Sequence, residues 1–119
     1  ARYRDALADL PGLTLPIAAD WATHTFWLYT ILIEESEYGM ESRTLLRVLK
    51  EHHIQSRPLW HPIHSLKPYQ DCQSYRVEVV DWLYERALSI PCSVGLTEAE
   101  QMRVIQVIRE SAGKDVSRR

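Results

Sequence analysis

The run Phe26-Trp27-Leu28-Tyr29-Thr30-Ile31-Leu32-Ile33 is the longest near-apolar stretch of the chain, and it decides what the rest folds around. At about eight residues it is far short of the roughly 20 that cross a bilayer, so no membrane helix is expected. Aromatic and β-branched residues fill both alternating faces. That pattern predicts a strand placed centrally in a sheet that is covered on at least one side, with its aromatics in the core.

The segments around this run alternate between helical and extended patterns. Tyr3, Leu7 and Leu10 share a helical face that Pro11-Gly12 ends, and the lack of a cap at residue 1 suggests a helix that begins earlier. Leu13-Thr14-Leu15 reads as a short strand before Pro16. Glu34-Glu35-Ser36-Glu37 reads as a solvated turn, with Gly39 letting the chain reverse. Ser42 is the expected N-cap of a helix striped by Leu45, Leu46 and Leu49 that closes near Ile54. Ile54 to Arg57 reads as a strand leading into a Pro-rich stretch. Tyr75 to Ala87 is a second amphipathic pattern, with Val77, Val80, Leu83, Tyr84 and Ala87 at helical spacing. Ser89-Ile90-Pro91 reads as a short or edge strand. Thr97-Glu98-Ala99-Glu100 matches a capping box for a helix that turns Val104, Ile105 and Ile108 inward.

These elements predict an α/β (α+β two-layer) domain: a small, mainly antiparallel sheet with helices packed mostly on one face. Residues 1–110 form that domain, and residues 111–119, which lack periodicity, are expected to be a flexible tail. A chain of 119 residues with 45% hydrophobic and 25% charged residues can support its own core. Its net charge is −2, and the eleven arginines among its fourteen basic residues are scattered, which argues against a nucleic-acid binder. The N-terminus lacks the apolar core of a signal peptide. Cys72 and Cys92 fit no paired metal spacing and read as two buried, reduced thiols of a cytoplasmic protein.

Chemistry concentrates in Ser56-Arg57-Pro58-Leu59-Trp60-His61-Pro62-Ile63-His64. Pro58 and Pro62 fix their own φ and push Arg57 and His61 toward extended geometry, so a regular helix is not expected here. Arg57 offers a planar fork of donors for a carboxylate or phosphate; a surface ion pair is its ordinary alternative. Trp60 can stack on a sugar or a base, or simply cap the edge of a core. His61 and His64 can donate, accept or charge near neutral pH. As His-x-x-His they fall short of the ligand count of a zinc site, and no second pair supplies the rest. His52 and His53 end a helix, His24 precedes the central strand, and structural roles suffice for all three. Neither Lys50, Lys67 nor Lys114 has the surroundings of a cofactor-bearing lysine, and no Gly-rich phosphate loop is present.

Taken in order, Phe26 to Ile33, Tyr38-Gly39, Ser42-Arg43, Ser56 to His64, Pro68-Tyr69, Leu88-Ser89-Ile90-Pro91 and Gly95-Leu96-Thr97-Glu98 form a recognisable set. Together they resemble the C-terminal part of the sugar aminotransferases of the DegT/StrS type, a pyridoxal phosphate family of fold type I. The resemblance runs from Tyr3 to Glu110. It implies the small domain of a longer polypeptide whose N-terminal domain carries the cofactor lysine, the carboxylate facing the pyridine nitrogen and most of the phosphate cradle. It also implies amino transfer from an amino acid, usually glutamate, to a nucleotide-linked keto-deoxy sugar. Pyridoxal phosphate is then expected in the full-length enzyme, a homodimer, and not on this chain alone.

Within that resemblance, Ser56 to His64 lines the mouth of the active site from the small-domain side. Arg57, Trp60, His61 and His64 become substrate-binding groups, none of them the proton-transfer catalyst. Where this chain has His61 many relatives have lysine, which makes the charge at this position pH-dependent. A freestanding, non-catalytic binding module derived from such a domain is the alternative reading.

Overall fold

The computed structural model describes residues 2–113. In chain order the elements are α1 (Arg2–Leu7), β1 (Leu13–Thr14), β2 (Tyr29–Ile33), α2 (Glu35–Tyr38), α3 (Ser42–Glu51), β3 (Arg57–Pro58), α4 (Glu78–Arg86), β4 (Ala87–Ile90) and α5 (Glu98–Ser111). Two short 3-10 turns, Ile63–Ser65 and Lys67–Tyr69, lie between β3 and α4. The four strands form one antiparallel sheet in the order β1-β2-β4-β3. This is the expected α/β architecture, with a small antiparallel sheet.

Period-two alternation fixes the register of β2. Tyr29, Ile31 and Ile33 are buried, whereas Thr30 and Leu32 are half-buried on the opposite face. Ile31 sits opposite Leu88 and Tyr29 opposite Ile90, while the Thr30 and Ser89 hydroxyls meet at 2.9 Å on the other face. Against the core face pack Tyr3 and Leu7 of α1, Leu45 and Leu49 of α3, and Val104, Ile105 and Ile108 of α5. The strand is shorter than its apolar run. Phe26 adopts a left-handed φ of 50°, and Trp27 and Leu28 are exposed, so pairing begins only at Tyr29.

Several local expectations give way to tertiary packing. The Glu34 to Glu37 segment is not a solvated turn: it enters helix α2, which buries Tyr38 and ends at Gly39 in the left-handed conformation. Ser42 is not an N-cap. Glu41 holds that position, while Ser42 is buried and its hydroxyl donates to the Glu85 carbonyl at the end of α4. The second amphipathic pattern is helical only over Glu78–Arg86, and α4 buries none of its residues. Ala87, read as part of that helix, opens β4. That strand is no edge but lies between β2 and β3, with all four residues buried. Cys72 is exposed and Cys92 half-buried, both as free thiols, because residue 72 falls in the loop after the second 3-10 turn.

Helix ends are closed by identifiable partners. Thr97 and Glu100 form the expected capping box: the Glu100 N–H donates to Thr97 Oγ1 at 3.3 Å and the Thr97 N–H to Glu100 Oε2 at 2.8 Å. At the end of α3, the Ile54 N–H reaches the Leu49 carbonyl and the His53 N–H the Lys50 carbonyl, a Schellman arrangement with His53 at φ 57°. A left-handed histidine carries a Cβ penalty that glycine avoids. His53→Gly is therefore expected to raise stability by about 1 kcal/mol, measured as the shift in urea midpoint. Helix α5 continues to Ser111, and the Gly113 N–H donates to the Tyr38 carbonyl at 2.8 Å. The remainder of the expected tail, 114–119, lies outside the described residues.

Surface carboxylates tie the first and last helices and the α2 region together. Arg109 grips Asp9 with both terminal nitrogens, at 2.7 and 2.8 Å, and Arg86 Nε donates to Glu34 at 3.1 Å. Hydrogen bonds from Arg109, Arg86 and the Thr97 side chain hold the carboxyl groups of Asp9, Glu34 and Glu100, respectively, below the usual carboxylate pKa range. A folded-state pKa below the unfolded one stabilises above the unfolded value and loses that contribution as pH falls through the folded value. Thermal midpoints are thus expected to fall below about pH 4, and Asp9→Asn should flatten that slope. Burial raises the Tyr3 and Tyr38 phenols, so stability should also decline as pH climbs past 10, where the unfolded phenols begin to ionise.

Candidate functional site

The Pro-punctuated segment leaves the sheet at β3, whose Arg57 and Pro58 pair with Ser89 and Leu88 of β4. Proline is tolerated at Pro58 because β3 is an edge strand. Arg57 is exposed on that edge, and none of the ion pairs among the described residues uses it. Among the described residues no side-chain hydrogen bond uses its guanidinium either.

Beyond β3 the chain turns over α4. Pro62 is buried and starts the first 3-10 turn, where Ser65 closes back on the Pro62 carbonyl through its N–H at 3.0 Å and its hydroxyl at 2.7 Å. This turn aligns His61 and His64, three residues apart, with Tyr84 and Asp81, also three apart on α4. His61 Nε2 lies 3.1 Å from the Tyr84 hydroxyl, with ring centroids 4.9 Å apart. His64 Nε2 lies 2.9 Å from Asp81 Oδ1. The two contacts form parallel rungs between loop and helix. A carboxylate at this distance from Nε2 orients the His64 ring.

Trp60, His61 and His64 line one open hollow of about 540 Å³, together with Tyr69, Val77 and Val80. Trp60 is 80% exposed, a flat apolar face with nothing stacked on it among the described residues. The hollow combines an apolar wall with two imidazoles, the composition of a site that holds a ligand's flat or apolar part and fixes its polar groups. Arg57 is not among the residues lining it and stands on the neighbouring strand edge. Three of the four sequence-derived residues are therefore brought together and the fourth is set apart.

Sequence reasoning missed Tyr84 and Asp81. Tyr84 is read from the sequence only as one member of a helical stripe, yet it is half-buried and turns its hydroxyl to His61. The matched three-residue spacings, 61 and 64 against 81 and 84, were the available signal. Behind Tyr84 lies Arg43 of α3, with Cζ 4.7 Å from the ring centroid and Nη2 donating to the Tyr84 carbonyl at 3.0 Å.

Comparison with known proteins gives this geometry a context. The model of the DegT/DnrJ/EryC1/StrS aminotransferase family matches residues 1–109. GDP-perosamine synthase of Caulobacter vibrioides is 34% identical over 110 residues, 89% of this chain and 29% of the relative. The crystal structure of DesI, determined in the presence of its TDP-sugar product, superposes with a TM-score of 0.84 at 26% identity, covering 98% of this chain and 29% of that one. An aminotransferase of the same family from Brucella abortus gives a TM-score of 0.79 at 28% identity, covering 95% of this chain and 29% of that one. The chain spans less than a third of the length of the curated relatives it matches.

Proposed function

Because the chain belongs to the DegT/DnrJ/EryC1/StrS aminotransferase family, we propose that it is the small domain of a pyridoxal phosphate-dependent sugar aminotransferase. Its role is to close and line the active-site cleft. The substrate is a nucleotide-linked keto-deoxy sugar, the amino donor is an amino acid, glutamate first among them, and the intact enzyme works as a homodimer in the cytoplasm. The structure of DesI, a structural neighbour, was determined in the presence of its TDP-sugar product, and that supports this substrate class. Among the described residues, no helix is long and apolar enough to cross a membrane.

The described residues of this chain do not themselves fit pyridoxal phosphate. Lys50 and Lys67 are exposed, whereas a cofactor-bearing lysine needs a desolvated pocket and an acidic partner for the ring nitrogen. The cofactor therefore belongs to the N-terminal domain of the longer enzyme, where it supplies the electron sink for amino transfer. What this chain contributes is binding, orientation and exclusion of water. The Trp60 face takes the sugar or base, His61 and His64 hydrogen-bond hydroxyl or phosphate oxygens, and Arg57 engages an anionic group from the adjoining edge.

The observation that carries this reading is the hollow uniting Trp60, His61 and His64 in a family fold. Exposed Val79, Val80 and Trp82 on α4 add to it, as apolar surface that the rest of such an enzyme would cover. In the intact enzyme, Arg57→Ala is expected to lower kcat/KM for the sugar nucleotide about 10- to 100-fold, the value of a charge-assisted hydrogen bond. The visible spectrum of the bound cofactor should stay as in the wild type. Loss of that spectrum would assign Arg57 to the cofactor and contradict the reading.

A further inference from the structure

Arg43, Tyr84 and His61 form a continuous series from α3 through α4 to the hollow. The Arg43 guanidinium lies over the Tyr84 ring, 4.7 Å from its centroid, and bonds the Tyr84 carbonyl at 3.0 Å. Its other terminal nitrogen, Nη1, is buried with no acceptor among the described residues, and none of the ion pairs there includes Arg43. The tyrosine ring is thus an electron-rich face set against a charge that no carboxylate among the described residues neutralises. A cation over a phenol ring draws electron density from it and strengthens the hydroxyl as a donor. That hydroxyl lies 3.1 Å from His61 Nε2.

Resting on the reading of the hollow as a sugar-nucleotide wall, we propose that Arg43 and Tyr84 are positioning residues that set the tautomer of His61. With the Tyr84 hydroxyl donating to Nε2, neutral His61 must carry its proton on Nδ1. Nδ1–H has no partner among the described residues' side-chain hydrogen bonds, so it remains a donor for an oxygen of the ligand. The site thereby offers a directed N–H to a hydroxyl or phosphate oxygen even when the imidazole is uncharged. Ser42 secures the same contact from behind, since its hydroxyl bonds the Glu85 carbonyl and holds the last turn of α4 against α3.

The test is nitrogen-15 NMR of the His61 ring in the intact protein without substrate, at a pH where the imidazole is neutral. In the wild type the Nδ1–H form should dominate. Tyr84→Phe keeps the ring under Arg43 but removes the hydroxyl, and should shift the population toward Nε2–H. Arg43→Ala should shift it in the same direction. Arg43→Lys, which keeps a charge but not the planar stack, provides a gentler variant should alanine unsettle the fold, and should shift it part of the way. A wild type dominated by Nε2–H, or a tautomer that neither Arg43 variant moves, overturns the proposal.

A kinetic cycle separates this claim from the functional reading beneath it. Tyr84→Phe and Arg43→Ala should each raise the sugar-nucleotide KM about three- to tenfold, the value of one hydrogen bond, with the effect disappearing in a His61→Ala background. Equal effects with and without His61 would overturn the positioning role. If His61→Ala itself leaves KM unchanged while the tautomer responds as stated, the sugar-site reading fails and the tautomer control stands.

Discussion

Gly12→Ala is expected to cost about 3 kcal/mol, through strain and overlap that act together. Gly12 has a φ of 70°, a left-handed conformation that disfavours any Cβ. An added Cβ would also press on the backbone nitrogen of Tyr38 and lie 2.7 Å from the Glu34 carbonyl oxygen. Both atoms belong to the backbone at the ends of α2, and the Glu34 N–H bonds the Gly12 carbonyl at 2.8 Å, so neither can withdraw without moving the helix. Gly113 is the internal control. Its φ is 76°, yet no atom of the described residues approaches the position where a Cβ would stand, so Gly113→Ala should cost only the conformational part, about 1 kcal/mol. Urea unfolding of the two variants measures the difference. Equal costs at the two positions would show that contact with α2 contributes nothing.

Tyr38→Ala is expected to cost about 4 kcal/mol, the range for removing a large buried aromatic side chain. Tyr38 is fully buried, and its hydroxyl donates to the Ile108 carbonyl at 2.6 Å. That carbonyl lies in the last turn of α5, where the Ala112 N–H turns instead to Arg109, so the phenol satisfies an acceptor that the helix leaves over. Tyr38→Phe keeps the ring and strands the acceptor, and should cost about 1–2 kcal/mol. Thermal or urea unfolding of the pair separates packing from hydrogen bonding. A phenylalanine variant as stable as the wild type would show that the carbonyl finds another partner.

The legible parts of the fold are those that local physics decides. The Thr97 to Glu100 capping box is a pattern of four neighbouring residues, and it forms as read. The Leu45 and Leu49 stripe and the buried alternation of Tyr29, Ile31 and Ile33 follow from helical and strand periods. What periodicity cannot carry is pairing across the sequence. Nothing local places β4 between β2 and β3, because that order depends on contacts between residues some 60 apart in the Thr30 and Ser89 rung. Ser42 looks like a cap by type, yet the nearby end of α4 recruits its hydroxyl. Helix α4 has an apolar pattern that names a face without naming what covers it, and here that face meets solvent.

The same division runs through the candidate site. Side-chain type and two prolines single out Arg57, Trp60, His61 and His64, and the fold gathers the last three. Their partners, Tyr84 and Asp81, come from another element, and their roles depend on how the 3-10 turn lies across α4. Arg43 is further removed, since it reaches the site only through the Tyr84 ring. Spacing alone could pair the residues; only packing gives them direction.

The most direct test of the central claim is a crystal structure of the intact enzyme with a nucleotide sugar bound. The account predicts ligand oxygens within hydrogen-bond distance of Arg57 and of at least one of His61 and His64, with a sugar or base plane against Trp60. A ligand fully enclosed elsewhere, with residues 57–64 facing solvent, would contradict it.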